Sequence, residues 1–387
     1  MKKCPVTVVI AGIGGYGYCY LQELWSTYTP DQVRLAGVVD PAAEASAHIS
    51  RINAEGIPVF EDMESFYAAG LTADLAVIVS PIHCHVPQSI TALQRGSRVL
   101  CDKPLSATVR EADELMAAEK AAGSPVMVGY QWSYSQAVQT LKQDIISGRY
   151  GKPLRAKAIC LWPRGFDYYS RNTWAGKVKT ASGTPVFDSP ANNAAAHFLH
   201  NLLFLLGASQ KESVSPLRAA ADLFRAYPIE NFDTVACRIA AHRCPEVLFY
   251  ASHATRETVD PHFEIELERG TVSFPDTHGN ITAEKRDGGK MMYGNPDTDQ
   301  FKKLHDAVSA VHKTADPLCG TEAAKAQTIA VGLIQEHPVR EIEPRLVKKE
   351  HRENRLYVEG LGKTLLDCYY SNSLLSEKGV PPFQGVY

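Results

Sequence analysis

The sequence predicts an α/β protein in which a doubly wound parallel sheet is followed by an α+β domain with an open, mostly antiparallel sheet. Up to about residue 130, short apolar strands alternate with helices, and a glycine-rich turn follows the first strand. After residue 130 the strands become longer and partly alternate between apolar and polar residues. Continuous apolar strands are typical of a parallel sheet covered on both faces, and alternation is typical of antiparallel sheets.

The first domain is predicted at residues 1–130 from its strand–helix alternation. Runs of β-branched and aliphatic residues predict strands at Val6–Ala11, Val33–Val39, Asp74–Val79, Arg98–Cys101 and Pro125–Gly129. The segments between them predict helices at Tyr16–Thr27, Pro41–Asn53, Pro87–Arg95 and Val109–Ala122.

The second domain is predicted at residues 131–387, with a C-terminal tail over 338–387. Its strands are expected at Leu154–Trp162, Leu217–Tyr227, Thr234–Ala241, Val247–His253, Phe263–Arg269 and Val272–Phe274. Its helices are expected at Ser135–Ser147, from Asn193 onward, and at Asp299–His312, Thr321–Gln335 and Leu361–Ser376. Because an open apolar sheet would otherwise aggregate, we expect a homo-oligomer, a dimer or a tetramer.

Composition and charge exclude several classes of protein. A chain of 387 residues has the length of two domains, and a net charge of −3 without a basic block argues against nucleic-acid binding. No segment approaches the roughly 20 apolar residues of a membrane span. The nine cysteines are scattered, odd in number and without a CxxC pair. Together these features predict a cytoplasmic enzyme with reduced thiols.

A glycine-rich fingerprint lies between the first strand and the first helix. The six residues fit G-x-G-x-x-G and are Gly12, Ile13, Gly14, Gly15, Tyr16 and Gly17. The first glycine allows a tight turn, the second allows a pyrophosphate to approach the backbone, and the third lets helix pack on strand. A helix N-terminus also attracts phosphate. The context predicts a dinucleotide-binding Rossmann domain.

Asp40 ends the second strand, where an acidic residue hydrogen-bonds the ribose 2′-hydroxyl in such domains. A carboxylate there would repel a 2′-phosphate, so we predict NAD rather than NADP. The alternative for Asp40 is the N-cap of the following helix.

Polar residues also follow the fourth and fifth strands. Ser80, Pro81 and His85 come after one strand, and Asp102-Lys103-Pro104 comes after the next. The carboxyl ends of parallel strands are where open α/β sheets bind ligands, although a solvated surface lysine is the alternative for Lys103. Cys84 and Cys101 lie beside these residues, which predicts inhibition by thiol reagents.

The helix predicted from Asn193 carries a polar stripe on an otherwise apolar surface. Asn193, His197 and His200 recur at spacings of four and three, so they are expected on one face. Polar groups on a buried helix need partners, and a lone buried histidine would be structural. A stripe of three such residues indicates a site.

Together, these motifs resemble the Gfo/Idh/MocA oxidoreductase family. The matching positions are the fingerprint, Ser80-Pro81 with His85, Asp102-Lys103-Pro104 (Glu-Lys-Pro in the family), Gly148–Pro153, and His197 before Leu205-Leu206-Gly207. The resemblance implies hydride transfer between a nicotinamide and a carbinol carbon of a sugar, polyol or glycoside. It implies that Lys103 is the catalytic lysine and His197 the general base. The implied cofactor-binding set is Gly12, Ile13, Gly14, Gly15, Tyr16, Gly17, Asp40, Ser80, Pro81, His85, Asp102, Lys103 and Gln131.

The chain departs from the family around the predicted base. The family usually has aspartates where this chain has Asn193 and His200. An aspartate raises the pKa of a neighbouring imidazole and orients it, whereas an asparagine can only orient it. His197 would then be a weaker base, or His200 would share its task.

The segment 162–179 is rich in aromatic and cationic residues and is expected to contact the substrate. The three predicted contacts are Arg171, Trp174 and Lys177, which join Asn193 and His200 as substrate-binding residues. The alternative for this segment is a surface loop in a subunit contact. No metal is expected, because the histidines lack the usual zinc-ligand spacing.

Two other functions remain open at the level of the sequence. One is a redox-neutral enzyme that holds NAD tightly and eliminates, hydrolyses or epimerises a glycoside through a keto-sugar. The other is a non-catalytic, nucleotide-binding regulator, for which neither Lys103 nor His197 would be needed.

Overall fold

The computed structural model describes residues 4–275, 279–313 and 316–379. The chain divides into two compact units, one of residues 1–134 with 299–325 and one of residues 135–298 with 326–387. Along the chain, the first change from one unit to the other comes after residue 134. The proline-rich end of the C-terminal tail lies outside the described residues.

The first unit is built on a parallel sheet of six strands, counted over the described residues, in the order β3-β2-β1-β4-β5-β6. The strands are β1 (Val6–Ala11), β2 (Val33–Val39), β3 (Val59–Phe60), β4 (Leu75–Ile78), β5 (Arg98–Cys101) and β6 (Met127–Val128). Every pair of neighbours is parallel. This is the strand order of a dinucleotide-binding Rossmann domain, so the prediction of a doubly wound parallel sheet is confirmed.

Helices connect these strands. They are α1 (Gly15–Thr27), α2 (Ile49–Ala54), α3 (Met63–Ala68), α4 (Ile82–Gln94) and α5 (Val109–Ala122). A capping box starts α5, in which Thr108 and Glu111 bond each other's backbone, and Gly123 ends it in the left-handed conformation.

Two of the predicted helices of the first domain differ in the structure, and α3 was not predicted. The expected helix Pro41–Asn53 is a 3-10 turn at Ala43–Ala45 followed by α2. Helix α4 begins five residues before Pro87, which lies inside it. A proline is favoured in the first turn of a helix, which explains the later predicted start. As a result, His85 belongs to a helix.

The segment 299–325, which the sequence analysis assigned to the second domain, belongs to the first unit. It contains α9 (Lys302–Val311) and the start of α10 (Thr321–Gln335). Backbone hydrogen bonding joins it to the sheet edge, since the Val128 N–H donates to the Cys319 carbonyl at 2.9 Å. Sequence order could not reveal this hydrogen bond, because 190 residues lie between Val128 and Cys319 in the chain.

The second unit contains a mixed, mostly antiparallel sheet of nine strands in the order β14-β13-β12-β11-β7-β10-β9-β8-β15, counted where the chain is described. Its strands are β7 (Pro153–Leu161), β8 (Pro216–Arg225), β9 (Thr234–Ala241), β10 (Cys244–Ser252), β11 (Val259–Leu267), β12 (Gly270–Phe274), β13 (Ile281–Lys285), β14 (Lys290–Gly294) and β15 (Val339–Glu341). The pairs β7–β10 and β8–β15 are parallel. A separate hairpin consists of β16 (Val347–Glu350) and β17 (Arg355–Val358).

The remaining helices belong to the second unit. They are α6 (Gln136–Ile146), α7 (Phe166–Ser170), α8 (Ala196–Leu205) and α11 (Leu361–Ser371). Helix α8 packs against β7. It begins three residues later than predicted, so Asn193 lies in the turn before it. Helix α11 ends five residues earlier than predicted, where Asn372 turns into the left-handed conformation with a φ of 56°.

Helix α11 covers part of the large sheet that the sequence analysis expected to be open. Its apolar side contributes Leu361, Leu365, Cys368 and Tyr369 to a core. Sheet residues in the same core come from four neighbouring strands and include Ile159, Phe224, Ala236 and Tyr250. The C-terminal part of the chain therefore buries apolar sheet surface within one unit.

Two absences apply to the described residues. None of the helices there is long and apolar enough to cross a membrane. All nine cysteines lie in this part of the chain, and none of them forms a disulfide bond.

Candidate functional site

The glycine-rich turn of the first unit has the geometry of a phosphate cradle. Gly12 has a φ of 84°, and a Cβ atom there would lie 2.7 Å from the carbonyl of Val79. A Cβ on Gly17 would lie 1.9 Å from the carbonyl oxygen of Gly12. Only glycine fits at these two positions, because a side chain would collide with backbone.

Gly14 differs from these two glycines, because a Cβ atom there would meet no protein atom within 4 Å. It is exposed, together with Gly15 and Tyr16, at the start of α1. No side chain caps this helix and no acidic residue lies in its first turn. The first turn of α1 therefore offers main-chain N–H groups and open space to an anionic ligand, which fits the pyrophosphate of NAD.

Asp40 follows β2 and is held by two main-chain donors. One carboxylate oxygen accepts the Ile13 N–H at 2.9 Å, and the other accepts the Ala42 N–H at 2.9 Å. The carboxylate thus lies beside the glycine-rich turn, as expected for a ribose-binding acid. The alternative, an N-cap for the following helix, is not what the structure shows, because Ala42 is the N-cap of the 3-10 turn Ala43–Ala45 and the bond from Ala42 N–H to Asp40 is a local Asx-type turn contact.

His85 joins the two turns that follow β4 and β5. Its Nε2 lies 2.8 Å from the Ser80 carbonyl and its Nδ1 lies 2.6 Å from the Pro104 carbonyl. Burial lowers the pKa of His85, while the two carbonyls and Asp102 act in the opposite direction. Because both ring nitrogens face main-chain oxygens, this side chain holds the Lys103-Pro104 turn against the Ser80-Pro81 turn.

Asp102 is also buried within the first unit. Its Oδ1 accepts from the Lys303 ammonium at 2.8 Å and from the Tyr20 hydroxyl at 2.9 Å. Burial by itself raises the pKa of Asp102, but the positive charges of Lys303 and Lys103 outweigh it and hold this pKa below its usual value. Asp102 therefore anchors the turn that carries Lys103, which is partly buried.

The other predicted cofactor contacts lie around the same sheet edge. Ser80 donates its hydroxyl to Gln88 at 2.5 Å, and Pro81 is the residue before α4. Tyr16 is 37% exposed and stacks at 6.1 Å on Phe301. Gln131 starts a 3-10 helix at Gln131–Tyr134, directly after the last strand of the sheet.

The two thiols next to this region are poor nucleophiles. Burial raises the pKa of Cys101, which is 0% exposed, and burial also raises the pKa of Cys84. Both are therefore protonated near neutral pH, and the structure gives no support to the expected thiol-reactive inhibition.

In the second unit, Asn193 is bound to an acid that the sequence analysis did not assign. Its Nδ2 donates to Oδ1 of Asp188 at 2.7 Å. The other Asp188 oxygen accepts the Gly176 N–H at 2.6 Å and lies 3.8 Å from the Arg171 guanidinium. Asp188 is 2% exposed. One buried carboxylate thus holds Asn193 and the loop that contains Arg171.

The three predicted contacts of the 162–179 segment lie close together along that loop. The Arg171 guanidinium lies 3.7 Å from the Tyr168 ring centre and 5.3 Å from that of Trp174. Lys177 has an exposed side chain, and its carbonyl accepts the Asp188 N–H at 2.9 Å. Aromatic faces and a cation are therefore clustered around Asp188.

The two histidines of α8 differ in their surroundings. His197 is partly exposed, whereas His200 is 1% exposed and stacks on Phe204 at 5.6 Å. Burial, followed by the charge of Lys142, holds the pKa of His200 well below its usual value. His200 is thus a buried ring inside the unit, and its surroundings favour the neutral form.

Several polar groups with strong contacts had no signal in the sequence. His253 is 3% exposed, and its Nδ1 lies 3.0 Å from the Tyr169 hydroxyl. Burial, followed by Arg164 and Arg171, holds its pKa well below the usual value. Lys303 and His253 were missed because each is distant in sequence from the residues that it contacts, and Asp188 was missed because it precedes the predicted helix and its spacing of five from Asn193 fits no helical or strand periodicity.

Comparison with known proteins supports the Rossmann assignment. Residues 6–130 match the GFO_IDH_MocA family model, described as "Oxidoreductase family, NAD-binding Rossmann fold". The chain is also similar to the inositol 2-dehydrogenase of Pseudomonas savastanoi pv. phaseolicola, with 30% identity over 161 residues, 41% of this chain and 47% of the relative. The inositol 2-dehydrogenase of Ralstonia nicotianae is 31% identical over 217 residues, 52% of this chain and 63% of the relative.

The chain spans about half the length of the curated relatives that it matches. Among solved structures, the WlbA dehydrogenase from Bordetella pertussis, in complex with NADH and UDP-GlcNAcA, shares the fold over most of the chain. It has a TM-score of 0.69 and 19% identity, with coverage of 86% of this chain and 96% of that one. The matched fold, the open space at Gly14 and the position of Asp40 all indicate a binding site for NAD. The N-terminal Rossmann domain of the chain, over residues 6–130, thus matches the Gfo/Idh/MocA family of NAD-binding oxidoreductases.

Proposed function

We propose that this protein is an NAD-dependent dehydrogenase that oxidises a carbinol carbon of a sugar, polyol or glycoside. The observation that carries the proposal is the NAD cradle at Gly14, in a chain that also provides His197 as a base and Lys103 as a cation. The inositol 2-dehydrogenases among its relatives support the substrate class. These relatives align with this chain over only 47% and 63% of their own length, so the activity of the whole chain is our proposal.

The chemistry assigns one task to each residue. NAD, held at the glycine-rich turn and Asp40, would supply the acceptor for the hydride of the carbinol C–H bond. His197 accepts the hydroxyl proton, which an alcohol does not release unaided at neutral pH. The Lys103 ammonium stabilises the alkoxide oxygen while negative charge develops on it. His85 and Asp102 act on Lys103 indirectly, because they hold the turn on which it lies.

The substrate contacts are proposed to come from Asn193, Arg171, Trp174 and Lys177. The clustering of a guanidinium with two aromatic rings suits a sugar face and an anionic or aglycone substituent. His200 enters this proposal only as a packing residue, because it is buried.

The test is a panel of sugars, polyols and glycosides with NAD and with NADP, read by the absorbance of the reduced cofactor. We expect reduction of NAD by at least one polyol or sugar, and a loss of about 10²- to 10⁴-fold in kcat for His197→Ala and for Lys103→Ala. His242→Ala and Lys120→Ala are matched controls, since both side chains are exposed. Near-full activity in either site variant would overturn the assignment.

The same panel separates the alternatives. Conversion of a glycoside without net NADH release would identify a redox-neutral enzyme with tightly held NAD. NAD binding without turnover of any member would favour a regulator.

Location and assembly belong to the same proposal. The absence of disulfides among nine cysteines supports a cytoplasmic enzyme. A homo-oligomer is supported by exposed apolar side chains at Leu217 on β8 and at Met292 on the edge strand β14. Light scattering of the purified chain tests it, and a mass of one chain, 42.4 kDa, would contradict it.

A further inference from the structure

The Asp188 carboxylate contacts three parts of the proposed substrate site within the second unit. It accepts Asn193 Nδ2 at 2.7 Å and the Gly176 N–H at 2.6 Å, and the Arg171 guanidinium lies 3.8 Å away. Its side chain is 2% exposed, so water screens these interactions weakly. A buried charge in this position is retained only with several partners, because its desolvation is costly.

The bond between Asp188 and Asn193 determines which way the asparagine amide faces. A carboxylate can only accept hydrogen bonds, so the Nδ2 group of Asn193 must face it. The Oδ1 atom is then directed away from Asp188. Asn193 consequently presents an acceptor on its far side, and the negative charge lies one side chain behind it.

We propose that Asp188 is a positioning residue that fixes Asn193 as the acceptor for a substrate hydroxyl. This inference rests on the proposed function, since it assigns a substrate group to Asn193. Asp188 also holds the Arg171–Gly176 loop through its second oxygen, so the acceptor and the loop cation are set by one carboxylate. The acceptor at Asn193 selects a hydroxyl hydrogen, and the cation at Arg171 selects an anionic or π-rich substituent.

The first variant that tests this is Asp188→Asn. One oxygen of Asp188 faces the Gly176 N–H and the Arg171 guanidinium, which are both donors, so the new NH2 group must face Asn193 instead. Asn193 can bond that group only with its own Oδ1. Its amide therefore rotates and presents a donor to the substrate in place of an acceptor.

The second variant is Asn193→Asp, and the third combines both changes. Asn193→Asp alone places two carboxylates at hydrogen-bond distance, and we expect the Tm to fall by about 5 °C. In the double variant, the residue 188 amide donates to the residue 193 carboxylate, so the Tm should recover most of that loss. The acceptor also returns to the substrate side.

Stability measurements therefore test the pair without any substrate. The control is Asn192→Asp at the neighbouring buried asparagine, whose Oδ1 instead accepts from Gln327. Adding Asp188→Asn to Asn192→Asp should not restore the Tm of that variant. If the double variant has a Tm as low as that of Asn193→Asp, the contact between Asp188 and Asn193 is contradicted.

Kinetics test the positioning role, with the panel substrate that the wild-type protein oxidises. We expect Asp188→Asn to lower kcat/KM about 10- to 100-fold, mainly through KM, and the double variant to recover most of it. Asp222→Asn removes another buried carboxylate of the unit and should leave KM unchanged. Recovery of Tm without recovery of KM would overturn the positioning role. If the wild-type protein oxidises no panel member, the proposed function fails, and the Tm cycle still decides the pair.

Discussion

The ammonium group of Lys303 lies 2.8 Å from the carboxylate of Asp102, with side-chain exposures of 0% and 7%. Lys303 also donates to the Gly129 carbonyl at 3.1 Å. The two charges are 201 residues apart in the chain and belong to the same compact unit. This buried pair joins the returning segment 299–325 to the turn that carries Lys103.

Replacing Lys303 by Ala should destabilise the first unit strongly. Removal of one partner leaves a buried charge without compensation, which costs about 3–5 kcal/mol of unfolding free energy. Lys302→Ala is the matched control, because Lys302 forms a partly exposed pair with Asp306 on the same helix and should cost about 0.5 kcal/mol or less. Urea unfolding of both variants measures the difference, and equal losses would contradict the buried pair.

Gly12 and Gly14 should respond differently to alanine. A Cβ at Gly12 collides with the backbone of Val79, so Gly12→Ala should lower Tm as well as NAD affinity. A Cβ at Gly14 enters open space, so Gly14→Ala should keep its Tm and weaken NAD binding by about 10-fold or more, because the pyrophosphate needs that space. Thermal unfolding and nucleotide titration measure both effects, and unchanged NAD affinity in Gly14→Ala would exclude the cradle.

Asp40 should control the choice between NAD and NADP. Its carboxylate repels a 2′-phosphate, so Asp40→Ser should raise the affinity for NADP relative to NAD by about 10-fold or more. Because the carboxylate also accepts the Ile13 and Ala42 N–H groups, the variant should lose some stability. The two dissociation constants are compared with those of Asp62→Ser, an exposed helix cap. A wild-type Kd for NADP at or below that for NAD would contradict the prediction.

Asp233 should make the protein less stable as the pH rises from about 4 to about 6. Burial raises its pKa from 3.8 to about 6, against the opposing hydrogen bonds from the Tyr227 and Ala226 N–H groups and the Thr234 hydroxyl. The folded state thus holds the proton more tightly than the unfolded state. The contribution of Asp233 to the free energy of unfolding is complete below pH 4. It is lost as the pH rises to about 6, and the loss amounts to up to about 3 kcal/mol.

The test of Asp233 compares unfolding free energies between pH 4 and pH 7. Asp233→Asn cannot titrate, so its stability should fall less over this range than that of the wild-type protein. Asp62→Asn is a control that should run parallel to the wild-type protein between pH 4 and pH 7, because hydrogen bonds from Ser65 lower the pKa of Asp62 and its contribution is lost only as the pH falls below about 4. A wild-type profile that runs parallel to that of Asp233→Asn would refute the assignment.

Alkylation should label Cys4 first and spare Cys101. Cys4 is exposed, whereas Cys101 is buried with a raised pKa. Treatment with iodoacetamide at pH 7.5, followed by mass spectrometry, should therefore modify Cys4 while NAD affinity is retained. Rapid modification of Cys101 in the folded protein would show that its surroundings open.

Local patterns predicted four elements of the first domain with their exact bounds. β1, β2, β5 and α5 have the bounds that their apolar runs and caps predict. The glycine fingerprint and Asp40 act over short distances in sequence, so their roles could be read from spacing and the turn geometry that glycine permits. In contrast, β3 and β13–β17 are short or at edges, and their residues carry little periodic signal.

The sequence alone determined that this chain contains a doubly wound, NAD-binding sheet and a second, mostly antiparallel one, because strand periodicity and glycine spacing are local properties of the backbone. Only the tertiary structure decided what surrounds the predicted side chains. In the structure, Lys303 contacts Asp102 and Asp188 contacts Asn193. His200 is buried, and α11 covers part of the sheet that was expected to be open. Burial and charge pairing depend on residues that are distant in the chain, and these contacts determine which polar groups remain available for chemistry.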